Sequence, residues 1–147
     1  MNPDFKLCLE KKKIVPFSKG KSLVNKELRT ANEDLADGKF GLTHGKYKWS
    51  TIQGYYSMFH TARALLYSRS FREKSHHCLY VALIALFVKE KKLGVEFVES
   101  FRNAMMLRED ADYRTHFSKS GAKVVLEKAE EFLNRAKELL EKELKQT

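Results

Sequence analysis

The chain is 147 residues long, 43% hydrophobic and 32% charged, which suits one globular domain and excludes both a disordered chain and a pair of enzymatic domains with a cleft between them. Its seven glycines and two prolines, both prolines at or before residue 16, are too few for the tight turns of a β-sandwich, so the composition favours helices. The net charge of +9 is concentrated in the first two thirds of the chain, where it attracts phosphates, nucleic acid, anionic membranes or an acidic protein.

Residues 1–17 show no sustained period, carry the triplet Lys11-Lys12-Lys13 and reach Pro16. They are expected as a loosely held lead-in with at most one short helical turn, ahead of a single domain over 18–147. The segment lacks the apolar run of a signal peptide. Cys8 and Cys78 have no Cys-x-x-Cys spacing, so neither a zinc cage nor a disulfide framework is indicated and a reducing cytoplasm fits.

A first helix starts near Ser18, with Leu23, Leu28, Ala31 and Leu35 at near-helical spacing, and Gly38 and Gly41 are expected to end it. A second carries the stripe Ile52, Tyr56, Phe59, Ala62 and Leu66, widened by Tyr55, Met58 and Leu65 to a face that packs on two sides. After the polar break SRSFREKSHH, the run LYVALIALFV reads as a buried helix too short to span a bilayer. Gly94 separates it from a fourth helix bearing Phe97, Phe101, Ala104 and Met105. The last helix repeats Val125, Ala129, Phe132, Ala136, Leu139 and Leu140 among balanced Glu and Lys. No strand pattern and no internal repeat competes. The expected class is all-α, an up-and-down helical bundle of about five helices.

Three groups of residues could carry chemistry. Arg108, Asp112 and His116 stand four apart and would line one face of the fourth helix. A guanidinium and an imidazole are what a metal-free ribonuclease needs, the first to hold the charged phosphorane and the second to move the 2′-hydroxyl proton, with Asp112 orienting the ring or pairing with Arg108. The bland alternative is a salt-bridged surface. Arg63, Arg69, Arg72, Lys74, His76 and His77 cluster around the end of the second helix as a phosphate-contacting patch or a solvated loop. Metal binding by His76, His77 and Cys78 is disfavoured because neighbouring helical residues diverge by about 100°. His60, with Tyr55, Tyr56 and Arg63, is a core histidine or part of a stacking surface. No metal or cofactor is expected.

The Tyr-Tyr-x-Met-Phe-His run at 55–60, Lys-Ser-His at 74–76 and Arg-x-x-Ala-Asp-Tyr at 108–113 resemble the HEPN family (higher eukaryotes and prokaryotes nucleotide-binding), in its small stand-alone prokaryotic form, over roughly residues 20–145. The resemblance implies an up-and-down helical domain, commonly a homodimer, encoded beside a minimal nucleotidyltransferase as a toxin–antitoxin pair. It also implies a metal-independent endoribonuclease built on an Arg followed after four to six residues by His. Here Arg108 matches the arginine, Asp112-Tyr113 stands at the histidine position, and His116 lies further along. Tyr113 corresponds to the tyrosine that a partner nucleotidyltransferase modifies in some pairs.

The leading expectation is a cytoplasmic toxin-like protein without membrane association that binds RNA or nucleotide phosphate at a dimer cleft around Arg108, Asp112, Tyr113 and His116. A second is a non-catalytic homodimer that docks, or presents substrate to, the nucleotidyltransferase antitoxin. A basic DNA-binding protein ranks behind both, since no helix-turn-helix pattern stands out.

Overall fold

The computed structural model describes residues 2–145, which form six α-helices, one π-helical turn and a two-stranded antiparallel sheet. The helices are α1 (Pro3–Glu10), α2 (Gly20–Thr43), α3 (Tyr47–Ser68), α4 (His76–Leu83), α5 (Val95–Tyr113) and α6 (Lys119–Lys145). The π turn, Ile84–Val88, continues α4. The strands β1 (Ile14–Pro16) and β2 (Phe71–Glu73) pair Ile14 with Glu73, Val15 with Arg72 and Pro16 with Phe71. The fold is the expected all-α bundle with a small clip added. Three-residue strands are too short to show a period, so no pattern in the sequence predicts this sheet.

Helix α3 is central. Its Tyr55, Met58, Leu65 and Leu66 are fully buried, as are Phe101 of α5 and Phe132 of α6, the helices that pack on it. Burying each such side chain contributes about 1.5–3 kcal/mol, the dominant favourable term for this architecture. The anticipated stripes on α3 and α6 face this core, with Tyr56 left half-exposed at its margin.

Gly38 and Gly41 do not end α2. They lie buried within it, where a Cβ on Gly38 would come 2.5 Å from Leu126 Cδ2 and one on Gly41 2.9 Å from Ser50 Oγ. Their small size admits neighbouring helices, and the chain reverses instead at Gly45, whose φ is +73°.

The expected loose lead-in is tied to the bundle. Asn2 Oδ1 caps α1 by accepting from the backbone N–H of Asp4 at 2.9 Å and of Phe5 at 3.1 Å. Strand β1 pairs with β2, and Cys8 is joined to Cys78 of α4 by a disulfide. This corrects the expectation that the spacing of the two cysteines indicates no disulfide. Seventy residues separate the cysteines, and only the packing of α1 on α4 makes them neighbours.

Among the described residues no helix is long and apolar enough to cross a membrane.

Candidate functional site

Helices α4 and α5 bring His76 and Arg108 to Tyr55, a buried residue of α3. Ser75 starts α4: its Oγ accepts from the Cys78 backbone N–H at 3.0 Å, which places His76 in the first turn. The His76 Nδ1 then lies 2.6 Å from the Tyr55 hydroxyl. The same imidazole packs on Phe59, centroid to centroid 4.6 Å, while Tyr55 stacks on Phe101 at 5.8 Å and 9°. Both partners of the hydrogen bond are therefore held by packing.

Arg108 reaches this cluster from α5. Its Nη2 donates to the Tyr56 hydroxyl at 3.0 Å and lies 3.5 Å from Asp112 Oδ2. The guanidinium carbon sits 5.8 Å from the Tyr55 ring centre, 5.5 Å from that of Tyr56 and 5.4 Å from that of Tyr113, an aromatic cradle suited to a cation. Its Nε is buried without a hydrogen-bond partner.

A second set of charges adjoins the first. Arg63 donates to Glu73 through Nη2 at 2.7 Å and Nε at 3.3 Å, with Glu27 at 3.6 Å. Glu27 also holds His60 Nδ1 at 2.6 Å, so His60 is a half-buried, carboxylate-bound ring rather than a fully buried core residue.

Electrostatics set the protonation of the cluster. Burial lowers the His76 pKa below the ordinary imidazole value, Glu73 opposes this, and Arg108 and Arg63 add to it. The fold thus favours a neutral imidazole. Burial also raises the Tyr55 pKa, keeping its hydroxyl protonated. A hydroxyl can donate to or accept from Nδ1, so the pair survives in either state of the ring.

The structure divides the residues expected to act together. Arg108 and Asp112 share a face, but α5 ends at Tyr113 and Thr115 takes a φ of +54°. His116 therefore lies on an exposed loop beyond the helix, and the one-face arrangement with Arg108 does not form. Arg63 and His76 join the Arg108 region. Arg69 does not: it pairs with Glu143 at 2.9 Å and covers the Phe87 ring at 4.3 Å. Arg72 lies over Phe17, and Lys74 and His77 are exposed. Tyr113 is 72% exposed. From the sequence, Tyr55 reads as packing and His76 as a phosphate contact. Both lay in quoted motifs, but nothing in their spacing indicated that they touch.

A neutral imidazole and a guanidinium converging on one tyrosine can bind an anion and exchange a proton with a group beside it. Among the described residues, no group of three or more His, Cys, Asp or Glu is arranged to hold a metal ion.

A family model described as the HEPN domain matches residues 24–146. Two Methanocaldococcus jannaschii proteins that bear provisional toxin names are similar to this chain. MJ0142 is 31% identical over 75% of this chain and 72% of its own length. MJ0605 is 28% identical over 82% of this chain and 96% of its own length. A UPF0332 protein of Archaeoglobus fulgidus is 31% identical over 78% of this chain and 93% of its own.

Proposed function

Because the chain belongs to the HEPN domain family, we propose that it is a toxin-like protein that binds RNA or nucleotide phosphate around Arg108, and that His76 fills the role expected of His116. The observation that carries this reading is the convergence of His76 and Arg108 on Tyr55 from two different helices. The toxin part of the reading draws on the names of the relatives.

As an endoribonuclease the site would act as follows. The neutral His76 imidazole takes the proton of a 2′-hydroxyl, the freed oxygen attacks the adjacent phosphorus, and the 5′-oxygen leaves and takes a proton from water. Arg108 offsets the charge that builds on the phosphoryl oxygens. Asp112 holds the guanidinium from the solvent side. Tyr113 presents the exposed hydroxyl that a partner nucleotidyltransferase would modify. In this reading two copies associate as a homodimer in the cytoplasm.

One observation favours the second reading, a non-catalytic subunit docking the nucleotidyltransferase. Arg108 is already engaged by Tyr56 and Asp112, and the family spacing from arginine to histidine is absent.

The test is binding and cleavage of a mixed RNA pool at low salt in EDTA, where electrostatic contacts are strongest. The wild type should bind, Arg108→Ala and His76→Ala should bind at least about tenfold more weakly, and His116→Ala should resemble the wild type. Binding without cleavage selects the docking subunit. Absence of binding by folded wild type removes the proposal.

A further inference from the structure

The segment that carries Glu73, Ser75 and His76 is held from both sides. On one side α3 grips it, through Arg63 on Glu73 and Tyr55 on His76. On the other lies residues 2–16, which run across it as a strap. Lys74 donates its backbone N–H to the Lys13 carbonyl at 2.8 Å, β1 pairs with β2, and the Phe5 ring meets Phe71 edge-on at 6.0 Å. The strap is fastened by the Cys8–Cys78 disulfide, and Cys78 lies two residues after His76 in the capped first turn of α4.

Besides that bond, α1 is held by Phe5 on Phe71 and by the short β1 that follows it. It is eight residues long and buries only Phe5 and Cys8, and a helix of this length is marginal in water without tertiary support. Both cysteines are buried, Cys8 to 5% exposure and Cys78 to 6%. A reagent reaches the sulfurs when α1 lifts, and once the bond is cut the covalent tie that returns α1 to its place is gone.

We propose that the Cys8–Cys78 disulfide is a redox-controlled clasp on the candidate site: oxidised, it holds the strap over residues 71–78 and keeps His76 on Tyr55; reduced, it releases the strap and loosens His76. The inference rests on reading the Arg108–His76 cluster as the working site. The reductant is a dithiol. One of its thiolates attacks a sulfur of the bond, forming a mixed disulfide, and the other protein sulfur leaves as a thiolate that takes a proton. The dithiol's second thiolate then attacks the mixed disulfide and releases the remaining protein thiol. Two electrons pass to the protein, Cys8 and Cys78 each end as thiols, and the dithiol ends as a disulfide. A low-molecular-weight disulfide reverses the exchange.

The experiment compares the full chain oxidised and after treatment with dithiothreitol, alongside the double variant Cys8→Ser, Cys78→Ser. Three readouts are taken: trypsin cleavage at Lys11–Lys13, the imidazole resonances of His76, and RNA affinity at low salt. Far-UV circular dichroism confirms that the bundle stays helical. Reduction should speed cleavage by about tenfold or more, the expected response when a fastened segment opens locally. It should also shift and broaden the His76 resonances and weaken RNA affinity about fivefold or more. The double variant should match the reduced protein in both buffers. Unchanged cleavage and unchanged His76 resonances on full reduction would overturn the clasp, and so would strap release that leaves His76 and RNA affinity untouched. If the oxidised wild type binds no RNA, the proposed function fails, and the cleavage and His76 readouts still decide the clasp.

Discussion

The Tyr55 hydroxyl and His76 Nδ1 are 2.6 Å apart although 21 residues separate them, and this bond joins the central helix to the first turn of α4. Tyr55→Phe keeps the ring and its stacking on Phe101 and removes the hydroxyl alone. It should cost about 1 kcal/mol in chemical denaturation and weaken RNA binding without changing helical content. Unaltered affinity would show that His76 does not need this anchor.

Stability should respond to pH through His76. Burial lowers its folded pKa below the ordinary value of 6.5, so the unfolded chain binds more protons in the interval between the two. This contribution is complete above the unfolded value and is lost as pH falls through the folded one. Urea midpoints should therefore fall between pH 7.5 and the acid side of that interval more steeply for wild type than for His76→Gln. Parallel curves would contradict the assignment.

Glu73 is a carboxylate with 5% of its side chain exposed, and Arg63 answers it bidentately. Arg63→Ala leaves that charge buried without its partner and should cost about 3 kcal/mol. Adding Glu73→Gln should recover part of the loss, since the orphaned charge goes with it. The measurement is a double-mutant cycle by denaturation, and strict additivity would mean that the two groups act independently.

Gly20 opens α2 against the end of α3. A Cβ there would come 2.5 Å from the Tyr67 carbonyl oxygen, a backbone atom that cannot rotate away. Gly20→Ala should destabilise by about 1–3 kcal/mol, although alanine is the better helix former. A thermal midpoint at or above that of the wild type would disprove the close approach.

The helical class was legible because it depends on period. Val125, Ala129, Phe132, Ala136 and Leu139 recur on one face of α6, and the same logic located α3. Element ends were less legible. Glycine serves both as a helix stop and as a small residue where helices cross, and Gly38 and Gly41 take the second part. A run of residues does not state which of these it needs, because the answer lies in Leu126 and Ser50.

The candidate site divides in the same way. Arg108 and Asp112 are one helical turn apart, so their ion pair follows from spacing within α5. Whether His116 joins them depended on where α5 stops, which is after Tyr113. The pairing of His76 with Tyr55, and of Cys8 with Cys78, arises when separate helices pack. The amino-acid sequence by itself determined helices α2 to α6, the basic charge and the family, because periodicity, composition and short motifs are local properties. Only the tertiary structure decided which imidazole stands beside Arg108 and which thiols meet, because those contacts are set by core packing between residues far apart in the chain.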